Sequence, residues 1–291
     1  MIWLVGNRGM LGAEVDSLLR EDKAEYVASD REVDITQPGA VSEFLLRPQG
    51  GARLEWIVNC AAYTAVDRAE DEPEMARALN AEGPLNLARA AAEAGASLLH
   101  ISTDYVFNGM KDGDYTEEDA PDPASAYGRS KLEGEHAIRK TLDRHLIIRT
   151  AWLYGRNGKN FVDTMVGLFR ERREVRVVCD QTGNPTYARD LARAIAAILR
   201  HSGNRYGTFH YTNEGRTSWF ELAKAIYQEA LSRGVAKAGV ELVPIATTEY
   251  PTKAVRPRNS CLSKEKIKRE FGISIRGWRE ALVDYLQEKA G

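Results

Sequence analysis

The chain opens on an apolar run, Ile2-Trp3-Leu4-Val5, which stops at Gly6 and leads into an amphipathic stretch from Ala13 to Arg20. A short unbroken apolar run reads as a buried strand, and apolar positions at helical spacing read as a helix. The same alternation recurs downstream. Strands are predicted at Glu25–Ser29, Trp56–Asn59, Ser97–Ser102 and Leu146–Arg149. Helices are predicted at Pro38–Arg47, at Pro73–Ala94 with an interruption near Gly83-Pro84, and at Ser125–Lys140. The strands are apolar throughout rather than at every second residue, as in a parallel sheet covered by helices on both faces. The predicted class is therefore α/β, a doubly wound parallel sheet. Ligands in such sheets bind beyond the carboxyl ends of the strands, so the loops beginning at Gly6, Asp30, Cys60, Thr103 and Thr150 should converge on one crevice.

From about Gly155 the pattern loosens. Helical stretches at Phe161–Arg173, Ala188–Arg200, Ser218–Arg233 and Trp278–Lys289 are separated by loops holding Gly183-Asn-Pro185, Tyr250-Pro251 and Arg256-Pro-Arg-Asn259. No flexible linker marks a boundary. Residues 1–155 are read as the core, and residues 156–291 as the completion of its sheet together with a smaller substrate lobe.

Composition narrows the class further. With 291 residues, 43% of them hydrophobic, and a formal net charge of -2, the chain can bury a large core and has no basic surplus for nucleic acid. No run approaches the roughly 18 apolar residues of a membrane span, and the apolar start lacks the basic flank of a signal peptide. Cys60, Cys179 and Cys261 are odd in number and widely spaced, which indicates neither a disulfide framework nor a zinc site. A reducing cytoplasm is the expected setting.

The turn after the first strand carries the first chemistry. Gly6, Gly9 and Gly12 stand at a spacing of three, with Arg8, Met10 and Leu11 between them. Such glycines let the backbone bend and approach a pyrophosphate, while the following helix points its free N–H groups at the same place. This makes residues 1–155 a dinucleotide-binding Rossmann core. Asp30, about twenty residues on at the end of the second strand, suits the adenosine ribose hydroxyls, whereas Arg31 beside it suits a 2′-phosphate. NADH and NADPH both remain open.

The second constellation is Ser102-Thr103-Asp104-Tyr105 at a strand end, with Tyr127 and Lys131 four apart at the start of a helix. Residues at that spacing share one helical face. A nearby ammonium favours tyrosinate and lowers the phenol pKa from about 10 toward the range where a general acid works best. Thr103 can offer a second hydroxyl to the same substrate oxygen, and the small Ala61 and Ala62 would let a cofactor lie against the third strand's end. An exposed Tyr–Lys pair on a helix surface has the same spacing. The weight of the pair comes from its order behind the glycine turn, Asn59-Cys-Ala-Ala62 and Ser102-Thr103.

These stretches, with Asn59-Cys-Ala-Ala-Tyr-Thr-Ala-Val-Asp67, Tyr127-Gly-Arg-Ser-Lys-Leu-Glu-Gly-Glu135, Arg149-Thr-Ala-Trp-Leu-Tyr154, Asn160-Phe161, Asp180-Gln-Thr-Gly-Asn-Pro-Thr186 and Arg256-Pro-Arg-Asn-Ser260, make the chain resemble the extended short-chain dehydrogenase/reductase family, and within it the dTDP-4-dehydrorhamnose reductases. The resemblance spans nearly the whole chain. It implies NAD(P)H-dependent reduction of the C4 ketone of dTDP-4-dehydro-L-rhamnose, a dTDP-linked 4-keto-6-deoxysugar. In that scheme Tyr127 protonates the C4 oxygen, Lys131 lowers the Tyr127 pKa and binds the nicotinamide ribose, and Thr103 orients the ketone. It further implies that Asp34 and Ile35 flank the adenine, and that Ala61, Ala62 and Tyr63 line the cofactor cleft. Asp104, Tyr105 and Trp152 would face the sugar, and Asn160, Arg256 and Asn259 the nucleotide diphosphate.

Two departures from the family pattern matter. Dehydratases of the wider family carry an acidic pair after the threonine, but Asp104 is followed by Tyr105, which disfavours elimination of water. Magnesium-bridged dimers of some relatives use a glutamate where this chain has Arg189-Asp190, which argues against a bound Mg2+ and leaves monomer or homodimer open. The rival readings are another nucleotide-sugar 4-ketoreductase or epimerase of the same fold, and a non-enzymatic regulatory homologue.

Overall fold

The apolar runs read as strands in the first half lie in one sheet. The computed structural model describes residues 1–46, 52–201, 203 and 205–290. In chain order the first half runs β1 (Ile2–Val5), α1 (Met10–Glu21), β2 (Tyr26–Ser29), α2 (Pro38–Leu46), β3 (Trp56–Asn59), α3 (Pro73–Arg77), α4 (Gly83–Ala94), β4 (Ser97–Thr103), α5 (Ala126–Thr141) and β5 (His145–Thr150). The predicted end of the second helix at Arg47 lies outside the described residues. The sheet has six strands in the order Gly207–His210, β5, β4, β3, β1, β2, and every pairing is parallel. Strand order reverses between β1 and β3, so the crevice that a doubly wound sheet offers a ligand opens beyond their carboxyl ends.

The strands are apolar on both sides because both sides are covered. On one face Leu4, Val58, Leu99 and Ile148 pack with Val15 of α1 and with Leu191 and Ile195. On the other Trp3, Ile57, Leu98 and Ile147 pack with Val41 of α2, Leu87 of α4 and Ile138 of α5. Leu191 and Ile195 belong to the second half, where α6 (Phe161–Glu171), α7 (Ala188–His201), α8 (Trp219–Ser232), α9 (Glu265–Phe271) and α10 (Trp278–Ala290) follow. The distal residues thus supply both the sixth strand and a covering helix, α7, to the core. A separate cluster of Phe169, Val177, Ile226, Leu282 and Tyr285 holds the smaller lobe together.

Two local differences from the sequence reading shape the site. The first helix starts at Met10, three residues before the predicted Ala13, because extended Gly9 serves as its N-cap (φ -71, ψ 169). The N–H groups of Met10, Leu11 and Gly12 therefore belong to an open helix end with no side-chain cap. The predicted interruption near Gly83-Pro84 is a π turn at Ala78–Glu82. Pro84 has no N–H for the Asn80 carbonyl, so the ladder widens there.

The glycines of the turn do different work. Gly6 has φ +79, and a Cβ on it would come within 2.7 Å of the Ala61 nitrogen. A Cβ on Gly12 would run into the Gly6 carbonyl, whereas one on Gly9 would find only that carbonyl, at 3.4 Å. Gly12→Ala should therefore cost about 1–3 kcal/mol of stability through overpacking. Gly9→Ala should cost less, about 0.5–1 kcal/mol for a poorer N-cap residue, while weakening dinucleotide binding. Thermal melts and NADPH titrations of the two variants check this, and equal stability losses would remove the distinction.

Candidate active site

Three loops meet at the reversal of strand order. The glycine turn leaves β1, Cys60-Ala61-Ala62 leaves β3, and Asp104-Tyr105 leaves β4. The residues fit a dinucleotide: the α1 N-terminus is uncapped, Gly9 is open, and the buried Asn7 Oδ1 has no partner. Leu11 is 5% exposed and its side chain lies in the core, so only its backbone can face a ligand. Arg8 is exposed, its guanidinium 3.9 Å from Glu32 Oε2. Glu32 also accepts from the Asp30 N–H at 2.8 Å, which orders the end of β2, where Arg31 is exposed. Asp34 accepts from Thr36 N–H at 3.0 Å, and Ile35 is 3% exposed with its side chain in the core.

Tyr127 is placed by the start of α5. Ser125 caps that helix by accepting from the Gly128 N–H at 3.1 Å. Gly128 in turn lets the Tyr105 carbonyl press against the helix where any Cβ would collide. The Tyr105 and Tyr127 rings meet edge to face with centroids 5.5 Å apart. Tyr63 packs into the same cluster; its N–H donates to Asn80 Oδ1 at 2.9 Å and its hydroxyl to Glu72 at 2.6 Å. The Thr103 hydroxyl donates to Asp104 Oδ1 at 2.9 Å and accepts from the Tyr105 N–H at 3.2 Å.

The titratable groups follow from burial. Burial pushes the Tyr127 phenol above its usual range; the Thr103 hydroxyl works against this, and Asp104 and Tyr105 add to it. Burial likewise pushes the Asp104 carboxyl up to about 6, against the pull of Ser260 and Thr103. Lys131 is brought down to about 8 by burial, opposed by Glu135 and Cys60. The expected lowering of the phenol by Lys131 is thus reversed in this arrangement. The lysine nitrogen lies 2.6 Å from the Ile101 carbonyl and 3.1 Å from His100 Nε2, both on β4, and desolvation dominates at the phenol.

Three of the residues expected at the diphosphate are otherwise engaged. Asn160 caps α6, accepting from Asp163 N–H at 3.0 Å and donating to the Gly155 carbonyl and the Tyr285 hydroxyl. Asn259 donates to the carbonyls of Lys111 and Gly113 and accepts from Cys261 N–H. Both amides are fully used in joining loops. Arg256 donates to Asp67 Oδ2 at 2.6 Å with its guanidinium 6.0 Å from the Tyr105 ring centre, so it ties the distal lobe to the site's wall. Nearby, Lys111, Thr182, Arg216 and Arg258 line a cavity of about 100 Å³. Lys111 and Arg216 carried no sequence signal, since each stands on a different loop; only Arg258 lies in a stretch that carries the family resemblance, Arg256-Pro-Arg-Asn-Ser260. Trp152 has φ 47, a strained value for a large residue; its indole lies over Gly183 and stacks on Trp219 at 3.5 Å. Asp190, where relatives were expected to hold a metal, receives Arg276 at 2.8 and 3.0 Å.

Sequence reasoning missed the polar core behind the site. Asn59 and His100 sit opposite each other in the β3–β4 register, and Ser102 opposite Arg149 in β4–β5. Polar residues inside otherwise apolar buried strands were the available signal.

Residues 1–290 match the family described as RmlD substrate binding domain. The chain is 40% identical over 290 residues to the spore coat polysaccharide biosynthesis protein SpsK of Bacillus subtilis (strain 168), covering 99% of this chain and 98% of that protein. It is 38% identical over 294 residues to the dTDP-4-dehydrorhamnose reductase of Escherichia coli (strain K12), covering 99% and 97%. The crystal structure of dTDP-4-dehydrorhamnose reductase from Bacillus anthracis str. Ames in complex with NADP is similar with a TM-score of 0.91 at 36% identity, covering 99% and 98%.

Proposed function

Since the chain belongs to the RmlD substrate binding domain family, we propose that it reduces the C4 ketone of dTDP-4-dehydro-L-rhamnose to give dTDP-L-rhamnose, using NADPH or NADH. The observation that carries the reading is the buried Tyr127 phenol beside the Thr103 hydroxyl, at the strand ends that the glycine turn also reaches. When bound, the nicotinamide supplies the hydride. The turn from Gly6 to Gly12 and the open end of α1 hold the pyrophosphate, with Asp30, Arg31, Asp34 and Ile35 on the adenosine side and Ala61, Ala62 and Tyr63 along the cleft. Tyr127 gives its proton to the ketone oxygen, and Thr103, turning its hydroxyl hydrogen from Asp104 to the substrate, donates to and orients that oxygen. Lys131 meets the ribose. Tyr105 and Trp152 flank the sugar, and Lys111, Arg216 and Arg258 supply the charge opposite the diphosphate. The reading places the enzyme in the cytoplasm and holds for a monomer or a homodimer.

A panel of dTDP-, UDP- and GDP-linked 4-ketosugars, assayed by oxidation of NADH and NADPH, tests the assignment. Turnover with the dTDP-linked 6-deoxysugar is expected. Turnover with a UDP- or GDP-linked sugar alone would transfer it to another ketoreductase, and no turnover with any would favour a regulatory homologue.

Arg31→Ala should weaken NADPH more than NADH, because only NADPH offers a 2′-phosphate to a charge-assisted hydrogen bond worth about 1.5–3 kcal/mol. Dissociation constants for both cofactors check this, and equal losses would remove Arg31 from the ribose.

A further inference from the structure

Behind the Tyr127–Lys131 face lies a chain of three buried polar side chains, Asn59, His100 and Lys131, exposed by 0%, 0% and 1%. Its hydrogen positions follow from one anchor. The Ala61 N–H donates to Asn59 Oδ1 at 3.0 Å, so the amide nitrogen of Asn59 is the atom 3.0 Å from His100 Nδ1. The reverse orientation would set that NH2 against the Ala61 N–H, donor against donor. Nδ1 of His100 must therefore accept. Burial and then Lys131 hold the imidazole pKa well below its usual value, so the ring is neutral and its single proton sits on Nε2.

Nε2–H points at Lys131 Nζ, 3.1 Å away. An ammonium has three donors and no lone pair, so it would face this N–H as donor against donor. An amine accepts from Nε2 and still donates to the Ile101 carbonyl at 2.6 Å. We propose that Asn59 and His100 are positioning residues that favour the amine form of Lys131 over its ammonium.

The groups around the lysine leave the ammonium poorly supported. Glu135, one turn along α5, is already engaged by Arg149, Arg139 and Ser102. The Cys60 thiol, beside β3, is pushed up to about 12 by burial and stays protonated at neutral pH. Tyr127, one turn back on α5, keeps its proton for the same reason. Burial already lowers Lys131 itself. The inference deepens the reading above, on which its functional meaning rests. A ligand hydroxyl that offers an acceptor in place of Nε2–H favours the cation, so dinucleotide binding takes up a fraction of a proton per site near pH 8.

The test uses the full chain, freed of nucleotide, with 15N-labelled histidine. Long-range nitrogen–proton correlations at pH 7.5 should show His100 as the Nε2–H tautomer, its signals identified among the five histidines by their loss in His100→Gln. In Asn59→Asp the carboxylate accepts from both the Ala61 N–H and Nδ1–H, which moves the ring proton to Nδ1 and turns the Nε2 lone pair toward Lys131. The Lys131 side-chain titration followed by NMR should then rise by at least one pH unit over wild type. An Nδ1–H tautomer in the wild-type protein overturns the proposal, even if Asn59→Asp does not fold. So does a wild-type Lys131 midpoint above about 10. These signals need no substrate, so failure of the ketosugar panel and failure of this proposal are separate results.

Discussion

Tyr127→Phe is expected to lower kcat by about 10²–10⁴-fold, the usual worth of a positioned general acid, with little change in dinucleotide affinity. Burial holds the phenol in its protonated form at neutral pH, so what the variant removes is a proton donor. The ring keeps its edge-to-face contact with Tyr105 and its packing on Ala126 and Tyr63. Stability should fall by no more than about 0.5–1.5 kcal/mol for a lost hydroxyl interaction. Steady-state kinetics with the dTDP-linked ketosugar, alongside cofactor titration, separate the two effects. Turnover close to wild type would reduce the Tyr127–Lys131 pair to a helix-face coincidence.

Glu135→Gln should destabilise the protein by about 3–5 kcal/mol, since removing one partner leaves a buried charge without its counter-ion. The Glu135 carboxylate is completely buried and receives Arg149 Nε at 2.9 Å, Arg149 Nη2 at 2.7 Å, Arg139 at 2.7 Å and Ser102 at 2.6 Å. Burial alone would raise its pKa, but Arg149, Arg139 and Ser102 outweigh this and hold it below the ordinary carboxylate range. A depressed folded pKa contributes stability that is fully present above the unfolded value, about 4.3, and is lost as pH falls through the folded pKa. The deficit of the variant should therefore be full at pH 7 and shrink below about pH 4. Urea melts of both proteins at the two pH values measure it. A deficit under 1 kcal/mol at pH 7 would show that the arginines find other partners.

The double-sided apolar runs announced a parallel sheet, and six parallel strands are present. The glycine spacing announced a tight turn, and the collisions a Cβ would suffer at Gly6 and Gly12 give its steric reason. The Tyr127–Lys131 spacing placed both on one face of α5, and the structure adds where the lysine nitrogen goes. All of these depend on consecutive residues, on their period, their backbone freedom or the reach of one helical turn.

What the sequence could not decide were pairings made by distant returns of the chain. Asn59 meets His100 across 41 residues, Arg149 meets His210 across 61, and Arg256 meets Asp67 across 189. Asn160 and Asn259, read as ligand contacts, hydrogen-bond between loops, because an amide's partners are whatever backbone the fold brings to it. The reversal of the expected phenol shift has the same origin. Spacing on a helix fixes which residues are neighbours, but burial and the direction of Lys131 toward β4 depend on the whole packed sheet. By itself, then, the sequence determined the strands, the glycine turn and the helix face that Tyr127 and Lys131 share. Tertiary structure alone decided the charge states and the partners of its polar groups, because desolvation and long-range hydrogen bonds exist only once the layers have closed.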